Sequence, residues 1–281
     1  ENITLTINTS PSDQAAIINS VINGTNDFAI IRQLDLLKAI DDGKLIKGIT
    51  AITQNSLHAL VSISSSDEIK SPEDLVGKKV GYPGTIYSEK LLETMLITEG
   101  AQLSDVNLVN VGKEGHAALI NGEVDVTVSE NWPRLKSKLD IEGKEPTIIK
   151  FTGWAVPEYY ELVLITTTDT TDKKENFTKR FVRALRRGYE DSINDPASGV
   201  QAIINQNPNI EFDTNFENEN AKNLVDLWKP FRPVRGSRTP LYGDQDANIY
   251  QALIRWMRKH QLVGSKVNYA DAYLNKFNLN E

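Results

Sequence analysis

Apolar and polar positions along the chain switch repeatedly between two periods, and this switching predicts strands that alternate with helices. Short β-rich runs such as FAII (28–31) and VTVS (126–129) follow stretches with apolar residues at helical spacing. Similar runs predict further strands at NITLTIN (2–8), ITAITQN (49–55), HALVSIS (58–64), KVGYP (79–83), VNLVNV (106–111) and YELVLITT (160–167). Helices are expected over 88–99, up to about 122, and over 174–205, 217–229, 247–260 and 269–277. This order predicts an α/β fold with mostly parallel sheets and helices on both faces.

One supersecondary unit occurs twice in the sequence. INGTNDFAIIRQ (22–33) aligns with INGEVDVTVSEN (120–131), which places Gly24 on Gly122. We expect a helix to end at each glycine, because the left-handed conformation at a helix C-terminus favours a residue without a Cβ. A buried strand should then follow in each copy. The duplication predicts two lobes, with FAII and VTVS in separate sheets.

Polar residues follow both of these predicted strands. Arg32 and Gln33 come after the first strand, and Glu130 and Asn131 come after the second. In open α/β sheets the ligand lies just past the carboxyl ends of the strands, so these four residues are candidate ligand contacts. Polar loop residues are also common without any such role. The repeat favours the interpretation that two lobes face a shared cleft.

A turn and several aromatic residues are further candidates. GYPGTIYS (81–88) combines a strand end, a Pro-Gly turn and a helix start, so main-chain N–H groups near Thr85 and Ser88 are expected to bind an acceptor oxygen. No lysine follows as in a P-loop. Flat faces for a heteroaromatic ring are offered by Tyr82, Tyr87, Trp154, Tyr159 and Tyr160, although aromatic residues beside strands also fill cores.

Composition excludes several functions. With 281 residues, 40% of them hydrophobic, the chain is long enough for a large core, and no apolar run approaches the ~18 to 20 residues that span a bilayer. It contains no cysteine, which excludes disulfides, thiolate nucleophiles and thiolate metal sites. The net charge of −7 argues against nucleic-acid binding. A basic cluster on a helical pattern is interpreted as a solvated helix face: Lys179, Arg180, Arg183, Arg186 and Arg187.

No metal, cofactor or catalytic residue is expected. The three histidines, His58, His116 and His260, are far apart in sequence and form no pair with the spacing of zinc ligands. His260 near a helix C-terminus has a simple interpretation as a capping or solvated residue.

Three segments carry a resemblance to a known family. SPEDLVGKKVGYPGTIYSEKLLETML (71–96) resembles the hinge-to-second-lobe segment of type II solute-binding proteins of ABC importers, in the branch that binds sulfonates, nitrate and thiamine precursors. VPEYYELVLIT (156–166) and VNYADAYLNKFN (267–278) are similar to the thiamine-pyrimidine, or formylaminopyrimidine, binding members. The resemblance extends over nearly the whole chain. It also implies that a first strand, an aromatic- and Asn-bearing loop and a first helix precede the position of Glu1.

The resemblance implies a two-lobe fold and a ligand. Lobe 1 is expected to contain 1–64 and 167–281 and lobe 2 to contain 65–166, with crossings near 64–68 and 165–168. Solute would then shift the protein towards a closed form. Glu161 would accept hydrogen bonds from an aminopyrimidine edge, or form a structural salt bridge, and His58 would lie near the cleft. Arg32 stands where the pyrimidine binders tend to carry an aromatic residue, and it favours either an anionic ligand or a latch with Glu130.

We therefore expect an extracytoplasmic substrate-binding protein that captures a small planar or anionic solute and passes it to an ABC permease. It should be a monomer without enzymatic activity, and it should meet the membrane only through a possible upstream lipid anchor. Two alternatives with related folds are a pyrimidine-synthesising enzyme and the effector domain of a LysR-type regulator. The pyrimidine-synthesising enzymes carry a cysteine cluster, and the hydroxymethylbilane synthases, which share the fold, need a cofactor-bearing cysteine. This chain contains no cysteine. A DNA-binding helix pair encoded upstream of Glu1 would favour the regulator, whereas a signal peptide with a lipid-attachment cysteine there would favour the importer.

Overall fold

The computed structural model describes residues 1–8, 13–63, 69–230 and 241–278. These residues form two compact units, each made from separate stretches of the chain. The first unit comprises Glu1–Asn55, Glu158–Gly199 and Val225–Glu281, and the second comprises Ser56–Pro157 and Val200–Leu224.

Eight strands and eleven α-helices are found in the described residues. In chain order they are α1 (Gln14–Ile22), β1 (Ala29–Arg32), α2 (Gln33–Asp41), β2 (Ile46–Thr53), β3 (Ala59–Ile63), β4 (Lys79–Tyr82), α3 (Ile86–Thr98), β5 (Asn107–Asn110), α4 (Gly115–Ile120), β6 (Val126–Ser129), α5 (Trp132–Ile141), β7 (Pro146–Lys150), β8 (Leu162–Thr167), α6 (Thr168–Lys173), α7 (Glu175–Asn194), α8 (Pro196–Gln206), α9 (Thr214–Trp228), α10 (Ala247–Lys259) and α11 (Tyr269–Ala272).

The sheet of the first unit has the order β1-β8-β2, and both of its pairings are antiparallel. The central strand β8 has four consecutive buried residues, Val163 to Thr166, which suits a strand covered on both faces. Helix α7 packs on this sheet, where Ile49, Ile52, Leu164, Val182 and Phe277 form one core cluster.

The sheet of the second unit has the order β5-β4-β6-β3-β7. β4 runs parallel to both β5 and β6, whereas β3 runs antiparallel to β6 and β7. The sequence predicted mostly parallel sheets, and this prediction is wrong: the sheet of the first unit is antiparallel and that of the second unit is mixed. The alternation of strands and helices did not reveal this, because β8 and β3 pair with strands far away in sequence.

The repeated sequence folds as expected at its glycines. Asn23 ends α1 and Asn121 ends α4, and the following Gly24 and Gly122 have φ angles of +78° and +69°. In each copy the glycine N–H donates back to a carbonyl of the last helical turn, so an otherwise unpaired helix-end carbonyl is satisfied. The two strands that follow, β1 and β6, lie in separate sheets, which confirms that prediction.

Some predicted elements are wrong. Residues 1–8, with the alternating pattern NITLTIN, form no strand, and the last predicted helix, 269–277, is reduced to α11. Helices α2 and α5 and strand β7 were not predicted. Helix α5 was missed because it begins with Trp132 and Pro133, although proline is tolerated in the first turn of a helix.

The units are bounded differently from the expected lobes, 1–64 with 167–281 and 65–166. The chain leaves the first unit after Asn55, because β3 pairs with β6 and β7 of the second sheet. It returns at Glu158, because β8 pairs with β1 and β2. Residues 200–224 also belong to the second unit. The expected first crossing, 64–68, lies outside the described residues, and the expected second crossing, 165–168, lies within the first unit.

Candidate functional site

One edge of the second sheet gathers several of the predicted ligand residues. The parallel strands β4 and β6 end there, at Tyr82 and Ser129. The antiparallel neighbour β3 begins at the same edge, since Ala59 pairs with both Ser129 and Lys150. His58, Glu130 and the turn after Tyr82 therefore lie together, as expected for residues that flank the ends of neighbouring strands.

A glycine turn connects β4 to helix α3 at this edge. Gly84 has a φ of +78°, and a Cβ there would lie 2.7 Å from a side-chain nitrogen of Asn110. Thr85 is the N-cap of α3, and its hydroxyl accepts a hydrogen bond from the N–H of Ser88. The start of α3 is thus well defined, with its positive dipole end at the sheet edge.

A carboxylate of the chain itself occupies the start of α3. Oε1 of Glu130 accepts hydrogen bonds from the hydroxyls of Thr85 (3.1 Å) and Ser88 (3.3 Å) and lies 3.8 Å from Nε2 of His58. The Glu130 side chain is 34% exposed, whereas that of His58 is 1% exposed. The sequence predicted an acceptor-binding site at this turn, and in the structure Glu130 supplies an internal acceptor.

Ser88 and Asn131 have supporting positions at this edge. Ser88 is completely buried, so its hydroxyl orients Glu130 and is not accessible to a solute in this structure. The side chain of Asn131 caps α5 by accepting from the N–H of Arg134, and the N–H of Trp132 donates to the carbonyl of Leu57 (3.0 Å). These contacts fix the backbone that carries Glu130.

The aromatic candidates of the second unit are partly exposed. Tyr82 and Tyr87 flank the glycine turn, and Trp154 follows a short 3-10 turn, Phe151–Gly153, after β7. Sequence reasoning missed Trp132 and Lys150. The ammonium nitrogen of Lys150 lies 5.3 Å from the centre of the Trp132 indole ring. Lys150 was missed because β7 itself was not predicted.

Arg32 ends β1 in the first unit. Its Nε lies 2.6 Å from Oδ2 of Asp35 in the first turn of α2, and the two side chains are 24% and 14% exposed. A largely buried guanidinium with a carboxylate at this distance is locally neutralised. An anionic solute at Arg32 would therefore compete with Asp35, a partner that the sequence analysis did not consider.

Gln33 and Tyr160 are core residues. The Gln33 side chain is fully buried, and its Oε1 accepts from the N–H of Tyr160 (2.9 Å). The Tyr160 hydroxyl accepts from the N–H of Asp246 (2.8 Å), and its ring lies 6.1 Å from that of Tyr250. Burial raises the pKa of Tyr160 above its ordinary value. The Gln33 side chain thus joins α2 to the backbone before β8, and the Tyr160 side chain joins that segment to the start of α10.

Glu161 is positioned by backbone hydrogen bonds at the start of β8. Its N–H donates to the carbonyl of Thr53 (2.9 Å), and its carbonyl accepts from the N–H of Gln33 (3.2 Å). The residue is 3% exposed, and the neighbouring Tyr159 is 1% exposed. A carboxylate at such a depth is tolerated only with polar or charged partners, which is consistent with either of the predicted roles for Glu161.

Neither a metal-binding cluster nor a membrane-spanning helix is found in the described residues. They contain no group of three or more His, Asp or Glu side chains arranged to bind a metal ion. Within the same residues no helix is both long and apolar enough to cross a membrane.

Comparison with known proteins identifies relatives over most of the chain. The family model described as NMT1/THI5 like matches residues 1–198. A formylaminopyrimidine-binding protein of Halalkalibacterium halodurans is 27% identical, over 94% of this chain and 78% of the relative. A 4-amino-5-hydroxymethyl-2-methylpyrimidine phosphate synthase of Legionella pneumophila is 22% identical, over 99% of this chain and 83% of the relative.

Solved structures define the fold. The periplasmic aliphatic sulphonate binding protein SsuA of Escherichia coli superimposes with a TM-score of 0.65 at 14% identity, covering 91% of this chain and 82% of that protein. The fold is that of the type II periplasmic binding proteins, which confirms the predicted fold class apart from the strand directions corrected above.

Proposed function

The chain belongs to the NMT1/THI5-like family, and from this premise we propose that it is the substrate-binding component of an ABC importer. Its solute is a small planar molecule that presents hydrogen-bond donors, such as an aminopyrimidine. It works outside the cytoplasm and passes the solute to a membrane permease.

The observation that carries the choice of solute is the position of Glu130. Its carboxylate lies at the start of α3, where Thr85 and Ser88 bond to it. A sulfonate or carboxylate solute about 4 Å from this group would be repelled by about 4 kcal/mol at an effective dielectric constant of about 20. An amino group is attracted by the same field, so the charge at this edge favours donor-bearing solutes over anions.

Arg32 supports the same choice. The sequence alone left an anionic solute open because of this guanidinium, but Asp35 neutralises it at 2.6 Å. The name of the Halalkalibacterium halodurans relative, a formylaminopyrimidine-binding protein, agrees with a donor-bearing planar solute. Glu161, in the first unit, remains a separate candidate acceptor for a pyrimidine, as the family resemblance implies.

Thermal unfolding with a solute panel tests this proposal. The panel contains formylaminopyrimidine, 4-amino-5-hydroxymethyl-2-methylpyrimidine, ethanesulfonate and acetate. A ligand at about 100 times its dissociation constant stabilises a binding protein by about 2.7 kcal/mol, so a pyrimidine should raise the Tm clearly while the two anions leave it unchanged. Stabilisation by ethanesulfonate but by neither pyrimidine would refute the choice of solute.

The enzyme alternative has one observation in its favour, the synthase name of the Legionella pneumophila relative. We propose binding without covalent chemistry, because the chain has no cysteine with which to supply the cysteine cluster of the pyrimidine-synthesising enzymes. Incubation with the bound pyrimidine, followed by mass spectrometry of the released molecule, should recover it unchanged. Recovery of a chemically altered product would favour the enzyme.

The expected monomer and lipid anchor are part of the same proposal. A monomer should elute from a size-exclusion column near the 31.4 kDa of the chain. Detergent phase partitioning of the protein as its own cells produce it would report a lipid anchor, because a lipidated protein enters the detergent phase.

A further inference from the structure

The duplicated sequence contains two Asn-Gly pairs that the proposed transport function does not use. Asn23-Gly24 follows α1 and Asn121-Gly122 follows α4, and the sequence contains no other Asn-Gly pair. All four residues are exposed. An asparagine before glycine is chemically labile, because the glycine nitrogen has no neighbouring side chain to hinder its attack on the asparagine amide. Each copy is therefore a candidate site of spontaneous modification.

The backbones of the two pairs are nearly identical. Asn23 has φ and ψ angles of −86° and 0°, and Asn121 has −76° and −5°. The glycines that follow have φ angles of +78° and +69°. In both copies the glycine N–H donates to a carbonyl of the preceding helix at 3.2 Å. The main chain must be opened equally in both copies before reaction, so a difference in reactivity comes from the side-chain contacts.

The side chain of Asn23 is held through its oxygen. Oδ1 accepts from the main-chain N–H of Thr25 at 3.0 Å and from the Thr25 hydroxyl at 2.7 Å. When the Gly24 nitrogen attacks Cγ of Asn23, negative charge develops on this same oxygen. Two donors that already point at the oxygen stabilise that charge, as the donors of an oxyanion hole do.

The side chain of Asn121 is held through its nitrogen instead. Nδ2 donates to Oε1 of Glu123 at 3.1 Å, and among the described residues no group donates to Oδ1 of Asn121. The carboxylate of Glu123 raises the energy of a second negative charge developing beside it. Thr25 and Glu123 occupy the same position of the duplicated sequence, so one residue of the repeat sets the environment of the reacting amide.

We propose that Asn23 is a site of intramolecular deamidation and that Asn121 is its protected counterpart. The Gly24 nitrogen gives its proton to water and bonds to Cγ of Asn23. The Cγ–Nδ2 bond then breaks, and Nδ2 leaves as ammonia after taking a proton from water. A second water molecule opens the resulting succinimide ring at either carbonyl, which leaves aspartate or isoaspartate. The net reaction consumes only water and involves no change of oxidation state.

Both products change the junction between α1 and β1. Each adds a carboxylate at the C-terminal end of α1, where the helix dipole disfavours negative charge. Isoaspartate also adds a methylene group to the backbone of the turn, which displaces the bonds from Thr25. The modified protein should therefore have a lower Tm than the freshly prepared protein.

Peptide mapping by mass spectrometry measures both pairs in one sample of the full, folded chain during incubation at neutral pH. Asn23 should convert at least about fivefold faster than Asn121. Thr25→Val removes the hydroxyl but keeps the main-chain donor, so it should slow conversion of Asn23 about two- to tenfold, the range for loss of one neutral hydrogen bond. Thr25→Ser keeps the hydroxyl and should keep the rate. Glu123→Gln should speed conversion of Asn121 and leave Asn23 unchanged.

The chain unfolded in guanidinium chloride is the control for effects of sequence alone. There the two pairs should convert at rates within about twofold of each other, because the bonds of Thr25 and Glu123 are lost. The proposal is overturned if Asn121 converts as fast as Asn23 in the folded chain, if Thr25→Val leaves the Asn23 rate unchanged, or if the unfolded chain keeps the folded ratio. Partial unfolding of a variant would speed the reaction, so a slower rate in Thr25→Val does not result from a damaged fold.

Discussion

Glu130→Gln tests directly whether the carboxylate at the start of α3 recognises the solute. Glutamine has nearly the same shape, and its amide oxygen can still accept from the hydroxyls of Thr85 and Ser88, which lie 3.1 Å and 3.3 Å from Oε1. What the substitution removes is the negative charge. Because the side chain is 34% exposed, we expect little change in the free energy of unfolding.

The size of the effect follows from the bond that is weakened. A hydrogen bond to a charged group contributes about 1.5 to 3 kcal/mol, and the glutamine amide also offers a donor where the solute itself donates. Loss of that contribution weakens the binding of an aminopyrimidine about 10- to 150-fold. An alkanesulfonate should respond in the opposite direction, because the substitution removes a repulsion.

Isothermal titration calorimetry with formylaminopyrimidine and with ethanesulfonate measures both directions. Glu123→Gln is the matched control, since Glu123 is exposed in the same unit, lies in the loop before β6, and its carboxylate accepts from the amide of Asn121. The reasoning is refuted if the Glu130 and Glu123 variants bind the pyrimidine with equal affinity. It is also refuted if Glu130→Gln weakens the binding of both solute classes alike.

Further substitutions test the other parts of the structure. Glu161→Gln should weaken pyrimidine binding at least tenfold in the same calorimeter, and unchanged affinity would make this residue structural. Gly84→Ala should lower the free energy of unfolding in urea by about 1 to 3 kcal/mol, because φ is +78° and a Cβ would lie 2.7 Å from an amide nitrogen; full stability would contradict that strain. Tyr242→Phe should lower it by about 1 to 3 kcal/mol, because the buried hydroxyl donates to a carbonyl of β2 at 2.6 Å. Backbone hydrogen bonds lower the pKa of Asp74, so its stabilisation is present above pH ~4 and lost as pH falls further; the stability difference from Asp74→Asn should shrink in acid, and a constant difference would refute this.

Local sequence patterns predicted local structure well and long-range pairing poorly. Seven of the eight predicted strands were found, as were the glycines that end α1 and α4, because period and turn chemistry act within about ten residues. The strand directions failed because β8 inserts between β1 and β2 from more than 100 residues away. No local pattern encodes such a pairing.

The sequence predicted which residues lie at the candidate site more successfully than it predicted their contacts. Glu130, Thr85 and His58 were each expected near a ligand, and the structure places them within one cluster. Their mutual contacts were not foreseen, because Glu130 is 45 residues from Thr85 in sequence. Asp35 was overlooked as the partner of Arg32 for a different reason: helix α2, which places it three residues away on the same face, was not predicted.

The duplicated sequence explains why the contacts of Glu130 and the ion pair of Arg32 were both missed. Each copy is a helix, a glycine turn, a strand and then a second helix: α1, β1 and α2 in one, and α4, β6 and α5 in the other. The polar residues after each strand therefore begin a helix, and Arg32 and Asn131 are the N-caps. The aligned positions Arg32 and Glu130 carry opposite charges. The guanidinium of Arg32 pairs with Asp35 in the first turn of its own helix, whereas the carboxylate of Glu130 accepts from two hydroxyls at the start of α3 and lies 3.8 Å from Nε2 of His58. The same unit thus supplies a structural ion pair in one copy and a candidate recognition group in the other, so the Glu130 substitution should affect solute binding far more than folding.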